Sequence, residues 1–373
     1  MSESLNSKIG RIEAIDILRG MAALSVLVFH AREYLWVGLT TMIRAPSFHW
    51  ARPDVIMAAA SFPFRFGHWG VALFFVISGY CIHQSGTALA GRSESRLPVW
   101  AFYRKRIRRI GPVLAAVLVL TLLLDSLSAW LAPGNEKFGE LSVGTFVGNL
   151  LGLQIAIVPA YGSNGSLWSL GVEMQLYAVY PLFFLVLQRF GVWLVVAVTG
   201  AVSVTACLIF GAPIQDSFAG YYFCWAAGVL VAEHISARCH FPTRVFLVAT
   251  PVLILLAVAG DFHLIMLSRP MTSNVLAVPF ALTVLLAAKH PEFFSKWRPI
   301  ARLFAWLGLF SYSLYMIHEP LLTLLRSWLF RGVQSDQFWP VLPGILLCIV
   351  AGWLLFIGVE KHSLVTRPNA GNK

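Results

Sequence analysis

The chain has 373 residues, 58% of them hydrophobic and 12% charged, and its mean hydropathy is +0.74. An ordinary soluble domain carries about 25% charged residues, so a soluble globular enzyme is excluded and an all-α integral membrane protein is expected. The net charge of +11 is concentrated beside apolar runs, where it serves membrane orientation, anionic headgroups or an anionic cytosolic ligand rather than nucleic acid.

A span needs about 20 apolar residues, and ten candidates follow along the chain. The first, 12–31, contains "IDILRGMAALSVLVFH", Ile15 to His30. Asp16 and Arg19, and the lack of a small-residue cleavage site after His30, argue against a cleavable signal peptide. Asp16 and Arg19 lie one helical turn apart and can pair. His30 falls on the same stripe about 21 Å further along. Each charge at membrane depth costs about 2.5–3.5 kcal/mol on the insertion scale, so the stripe is expected to be functional. The plainer reading is a structural ion pair and an interfacial histidine. The segment 32–66 is the longest external loop. Its His49 and Asp54 match an HxxxxD spacing, but ten histidines make chance matches common and Pro53 interrupts this one.

The second span, 67–89, holds Ser78 and Gly79, small residues of the kind that let membrane helices approach closely. The loop "FYRKRIRRIGP" (Phe102–Pro112) leads into the third span, 110–131. Its basic cluster reads equally as a stop-transfer signal or as a clamp for the phosphates of an anionic cytosolic ligand. Segments 142–160 and 166–187 form one broken span. The first part is interrupted by Gly144, Gly148, Asn149, Gly152 and Gln154, which suits a re-entrant or interfacial position. In the second part Glu173, Tyr177 and Tyr180 make a polar stripe, and Glu173 needs a partner such as Arg or His. Spans 190–211, 218–235, 244–260 and 272–289 follow. The ninth, 302–326, carries His318 and Glu319, and the tenth, 339–359, closes on Glu360.

An even count with both termini cytoplasmic puts most Lys and Arg inside. The chain reads as a single membrane domain, 1–373, without internal repeats, and 368–373 as a disordered tail. The five cysteines contain no CxxC or CxxxC pair, so neither a disulfide framework nor a zinc site is expected. No His/Glu cluster has metal-ligand spacing, and no metal is assigned. GxSxG, P-loop and GxGxxG motifs are absent.

Taken together and in order, "DILRG" followed by His30, "GVALFFVISGY", "RIRRIGP", "SLWSLGVEMQLYAVYP" and "SYSLYMIHEP" resemble the acyltransferase-3 family of membrane O-acyltransferases. Members O-acylate cell-surface polysaccharides, with relatives acting on peptidoglycan, Nod factors and macrolides. The resemblance extends from "IDILRG" to Glu360 and Lys361. It implies transfer of an acyl group, acetyl foremost, from cytosolic acyl-CoA to a hydroxyl of a surface or lipid-linked saccharide at the cell inner membrane. By position, His30 matches the family's essential histidine, and Asp16 and Arg19 its first-helix pair. Arg106 and Arg109 match the RxxR motif for acyl-CoA, Ser78 and Gly79 the Ser-Gly motif, and Glu173 and Glu360 recurrent carboxylates. Tyr80 stands where the family often has Phe. The SGNH hydrolase-like domain of some members is not found, so a second transfer would need a separate protein.

The implied catalytic set is His30, Glu173 and Asp16, and the implied donor-binding set is Arg19, Arg106, Arg109, Ser78 and Gly79. His30 would act as general base or covalent acyl carrier, with Glu173 as its orienter and Ser78 or backbone N–H groups on the oxyanion. No permanently bound cofactor is expected. The alternatives are an acyltransferase for a small natural product, a transporter or flippase using the polar stripe, and a membrane-bound O-acyltransferase of the other type that relies on His318.

Overall fold

The computed structural model describes residues 2–44, 48–91, 96–133, 139–295 and 298–364; the expected tail at 368–373 lies outside them. The chain runs through α1 (Ser2–Leu35), α2 (Leu39–Ile43), α3 (Pro53–Ala60), a 3₁₀ turn (Phe62–Trp69), α4 (Gly70–Ala90) and α5 (Val99–Leu131). It continues with α6 (Val143–Leu150), α7 (Leu167–Phe190), α8 (Val192–Thr205), α9 (Phe218–Ile235), α10 (Thr243–Asp261) and α11 (Arg269–Lys289). Last come α12 (Pro291–Ser295), α13 (Arg298–Leu309), α14 (Ser311–Phe330), α15 (Val341–Leu355) and α16 (Lys361–Leu364). Among the described residues the architecture is all-helical, as the sequence leads one to expect.

Seven helical stretches of the described residues are long and apolar enough to cross a membrane, and the pair α13–α14, bent by 75°, adds an eighth if it is one span. That is fewer than the ten expected. The expected spans 12–31 and 218–235 are helical, as α1 and α9, without being among the seven. Segment 142–160, read as the interrupted half of a broken span, is not among the seven either. It forms only the eight-residue α6 and then turns back, because its interrupting polar residues find partners inside the protein. Asn149 Nδ2 donates to the carbonyls of Thr145 and Pro159 at 2.8 and 2.9 Å, and Gln154 Nε2 to Leu167 O at 2.9 Å.

Lipid chains are as apolar as a leucine side chain, so membrane helices associate through close packing rather than through hiding apolar faces. Glycines provide that closeness at two crossings. A Cβ on Gly20 of α1 would run into the carbonyl of Phe304 on α13, and one on Gly308 of α13 into the backbone of Asp16. Gly79 of α4 and Gly228 of α9 meet the backbones of Trp225 and Val76 in the same way. At the other extreme α10 has only 11% of its apolar window buried and presents Val248 and Leu255 outward, as a lipid-facing helix does.

Helix α14 has a defect that the fold repairs. Pro320 has no N–H for the carbonyl of Met316 one turn back, and Asn164 Nδ2 takes that place at 2.9 Å. The neighbouring Ser163 gives its backbone N–H and its hydroxyl to Asp125 of α5 at 2.7 and 2.5 Å. The loop 163–166 is thereby stapled between α5 and α14.

Candidate active site

His30 near the end of α1, His318 and Glu319 on α14, and the stapled loop converge on one point. His30 Nδ1 lies 2.8 Å from His318 Nε2, and His318 Nδ1 lies 2.7 Å from the carbonyl of Tyr315. A carbonyl only accepts, so His318 carries its proton on Nδ1 and offers a lone pair at Nε2. His30 therefore donates Nδ1–H to that lone pair and turns Nε2 towards the carboxylate. That nitrogen is 3.8 Å from Glu319 Oε1. Glu319 is buried and held by three donors: the Tyr34 hydroxyl (2.7 Å) and Gly165 N–H (3.0 Å) on Oε2, and the Ser166 hydroxyl (2.6 Å) on Oε1. The Gly165 backbone comes so close that a Cβ there would stand 2.8 Å from Glu319 Oε2.

His318 is 1% exposed, whereas the His30 side chain retains 19% and opens onto a cavity of about 720 Å³. A smaller cavity of about 100 Å³ is lined by Arg19, Ser78, Cys81, Arg109, Glu173 and Tyr177. Val71 and Tyr315 border both and form their common wall. The Tyr315 hydroxyl is fixed 2.7 Å from Ser169 Oγ.

The expected residues divide between these places. Asp16 and Arg19 form the anticipated pair at 3.1 Å, and Arg19 also reaches Cys81 Sγ at 3.3 Å. Arg19, Ser78, Arg109 and Glu173 share the smaller cavity. The partners of Glu173 are hydroxyls rather than the anticipated Arg or His: Ser78 at 2.8 Å and Tyr177 one turn on. Ser78 thus gives its proton to a carboxylate, which leaves it a poor oxyanion donor in this arrangement. The carboxylate beside His30 is Glu319, not Glu173. Gly79 lies against Trp225 of α9, where it serves packing. Arg106 is buried, its guanidinium 5.2 and 5.7 Å from the ring centres of Phe102 and Tyr177, with Nε and Nη2 lacking a hydrogen-bond partner. Glu360 accepts from the N–H and hydroxyl of Ser313 at 3.3 and 2.5 Å.

Sequence reasoning gave no role to Tyr34, Ser166 or Asp125, all of which build the site or hold the loop that builds it. It also gave none to the cluster in which His83 Nε2 and Arg238 Nε meet Glu233 Oε1 at 2.6 and 2.8 Å and tie α4 to α9. The adjacency of Asn, Gly and Ser in "SNGS" was the available signal for the loop; nothing in the sequence paired it with α14.

No metal set is visible in the spacing, yet folding brings ligand atoms of His30, His318 and Glu319 within 4.8 Å of one another. Two imidazoles on one zinc ion bind at about 2.0–2.1 Å each in a tetrahedral arrangement, which spreads their nitrogens to beyond 3 Å. The 2.8 Å separation is that of a shared proton.

The family model described as "Acyltransferase domain" matches residues 12–357, and the chain belongs to the acyltransferase-3 family. Among individual relatives, it is 23% identical over 388 aligned positions to a Bacillus subtilis protein provisionally named a peptidoglycan O-acetyltransferase, covering 94% of this chain and 54% of that one. It is 25% identical over 186 positions to a peptidoglycan O-acetyltransferase of Listeria monocytogenes, 48% of this chain and 25% of the relative. A regulator of hypoxia-inducible factor 1 from Caenorhabditis elegans is 26% identical over 203 positions, 51% of this chain and 37% of the relative. The chain spans about half the length, or less, of these curated relatives. No solved structure matches.

Proposed function

We propose that the protein is a multi-pass membrane O-acyltransferase that moves an acyl group, acetyl foremost, from acyl-CoA to a hydroxyl of a surface or lipid-linked saccharide. The observation that carries this reading is the His30–His318–Glu319 arrangement, open to a large cavity on one side, in a chain of the acyltransferase-3 family. The saccharide hydroxyl approaches His30 from the larger cavity, and the acyl thioester reaches the Tyr315 wall from the smaller one. His30 Nε2 takes the hydroxyl proton as the oxygen attacks the thioester carbon. The C–O bond forms, the C–S bond breaks, and the proton passes from Nε2 to the departing thiolate. His318 fixes the tautomer that leaves Nε2 able to accept, and the Glu319 carboxylate stabilises the imidazolium between the two steps.

Arg109 in the smaller cavity suits the phosphates of a CoA donor, since guanidinium offers planar, paired donors to such oxygens, and Arg106 is buried one turn before it. Counting α1, α9 and the bent α13–α14 pair with the seven apolar helices gives ten crossings. Both termini are then cytoplasmic and the enzyme sits in the cell inner membrane.

The test uses purified protein with labelled acetyl-CoA and an oligosaccharide acceptor. A correctly inserted His30→Ala protein should lose transfer by about 10²-fold or more, and retained transfer would remove His30 from the chemistry. Solute flux without any need for CoA would instead establish a transporter. In cells, mass spectrometry of surface glycans from a deletion strain should show an ester lost.

A further inference from the structure

The larger cavity has a charge pattern that says more about the acceptor than acyl transfer requires. Arg32, two residues beyond His30 on α1, Arg65 on the 3₁₀ turn and Arg269 at the start of α11 all line it. Arg32 packs its guanidinium 5.6 Å from the Trp36 ring centre, and its Nε is buried without a hydrogen-bond partner. Arg65 lies 4.8 Å from the Phe262 ring centre and donates to a backbone carbonyl, that of Asp261, at 3.2 Å.

Two carboxylates line the same space, Glu33 and Asp261. Asp261 is already engaged by His68 Nε2 at 3.3 Å and Trp69 Nε1 at 2.9 Å. Among the described residues no carboxylate stands at ion-pair distance from Arg32, Arg65 or Arg269. Three arginines against two carboxylates, of which Asp261 is engaged by His68 and Trp69, leave this partly enclosed wall with an excess of positive charge, which is costly unless a ligand supplies a further anion. The rest of the wall includes Trp69, Trp168 and Tyr221, broad apolar faces of the kind that carry most ligand contact. The volume lies within the ~300–1,000 Å³ typical of ligand sites.

We infer that the larger cavity selects an anionic saccharide, with Arg32 and Arg65 holding a carboxylate or phosphate of the acceptor while one of its hydroxyls faces His30. This deepens the acyl-transfer reading and rests on it for the purpose of the site, but the binding it describes needs no donor. The anion comes either from a uronate-type carboxylate within the glycan or from the phosphate of a sugar phosphate or lipid-linked sugar, and the two share the fork geometry that arginine recognises.

The test measures equilibrium binding to purified protein without acyl-CoA. The carboxylate arm compares a tetrasaccharide of alternating glucuronate and N-acetylglucosamine with the neutral N-acetylglucosamine tetramer. The phosphate arm compares N-acetylglucosamine 1-phosphate with N-acetylglucosamine. The anionic probe of one arm should bind at least about tenfold tighter than its neutral counterpart, and the arm that responds identifies the source of the anion. The preference should vanish in the Arg32→Gln/Arg65→Gln protein and survive in Arg32→Lys/Arg65→Lys. Equal binding of charged and neutral probes overturns the inference, as does a preference that persists in the glutamine protein. So does phosphatidylglycerol that co-purifies with wild type but not with the glutamine variant in the absence of any sugar preference, since the arginines would then be a lipid anchor. A protein that shows the preference but transfers no acyl group retains the binding site and loses only the proposed reaction.

Discussion

His30 was legible from the sequence because a histidine on a charged stripe in an apolar run has few structural reasons to be there. Its partners were not, because His318 and Glu319 lie almost 290 residues away and no periodicity links two helices so far apart. Nearest in sequence motif, though not in space, was Glu173, which accepts from two hydroxyls and shares the smaller cavity with Arg19 and Arg109. The geometry also removes a distinction. His30 and His318 read as signatures of two rival enzyme types, but they are two halves of one hydrogen-bonded pair, so single variants of each should behave alike. His30→Ala and His318→Ala should each lower kcat, and the double variant should be little worse than His30→Ala alone, because residues acting as a unit are not additive. Glu319→Gln keeps the volume but removes the charge that meets the imidazolium. We expect kcat to fall on the order of 10²-fold with KM for the saccharide little changed, measured under donor saturation. An unchanged kcat would limit Glu319 to holding the loop.

Among the elements, α14 shows how a local irregularity becomes an active-site support. The proline in "HEP" was visible, but its consequence was not, since the residue that answers the freed carbonyl comes from a loop more than 150 positions earlier. Asn164→Ala leaves the Met316 carbonyl buried without that donor and should cost about 1–3 kcal/mol, read as a lowered thermal midpoint in detergent. Gly165→Ala acts on the carboxylate directly. Its Cβ would displace Glu319 Oε2 from the Gly165 N–H and the Tyr34 hydroxyl, so activity should drop roughly 10- to 100-fold and the thermal midpoint should fall as well. Of the glycines at the α1–α13 and α4–α9 crossings, only Gly79 was read from the sequence as a packing residue. The pairing of Gly20 with α13 and of Gly79 with α9 needed the fold.

At the scale of the whole molecule, composition alone established an all-helical membrane class, and apolar run lengths located nearly every long helix. The interrupted stretch 142–160, read as suited to a re-entrant or interfacial position, forms only the short α6. Its polar residues are satisfied by the protein's own backbone and need no passage to water. Under the proposed orientation the two cavities would face opposite sides of the membrane. Cys81 borders the smaller one beside Arg19, which makes it a natural reporter. In a protein whose other four cysteines are replaced, an impermeant maleimide should label Cys81 in inside-out but not right-side-out vesicles, and acyl-CoA should slow that labelling. Labelling from the outer face would reverse the proposed orientation.

The assembly of Glu319 from α1, the 163–166 loop and α14 also bears on how the protein is made. A ribosome feeding this chain into the bilayer delivers His30 first, the loop midway, and the buried carboxylate only after most helices are in place. The nascent chain therefore carries its base without the residues that set its tautomer and balance its charge. Under the proposed mechanism the site would be complete only when synthesis nears its end. A complementation experiment with two co-expressed fragments divided between α11 and α13 should restore activity only when both are present.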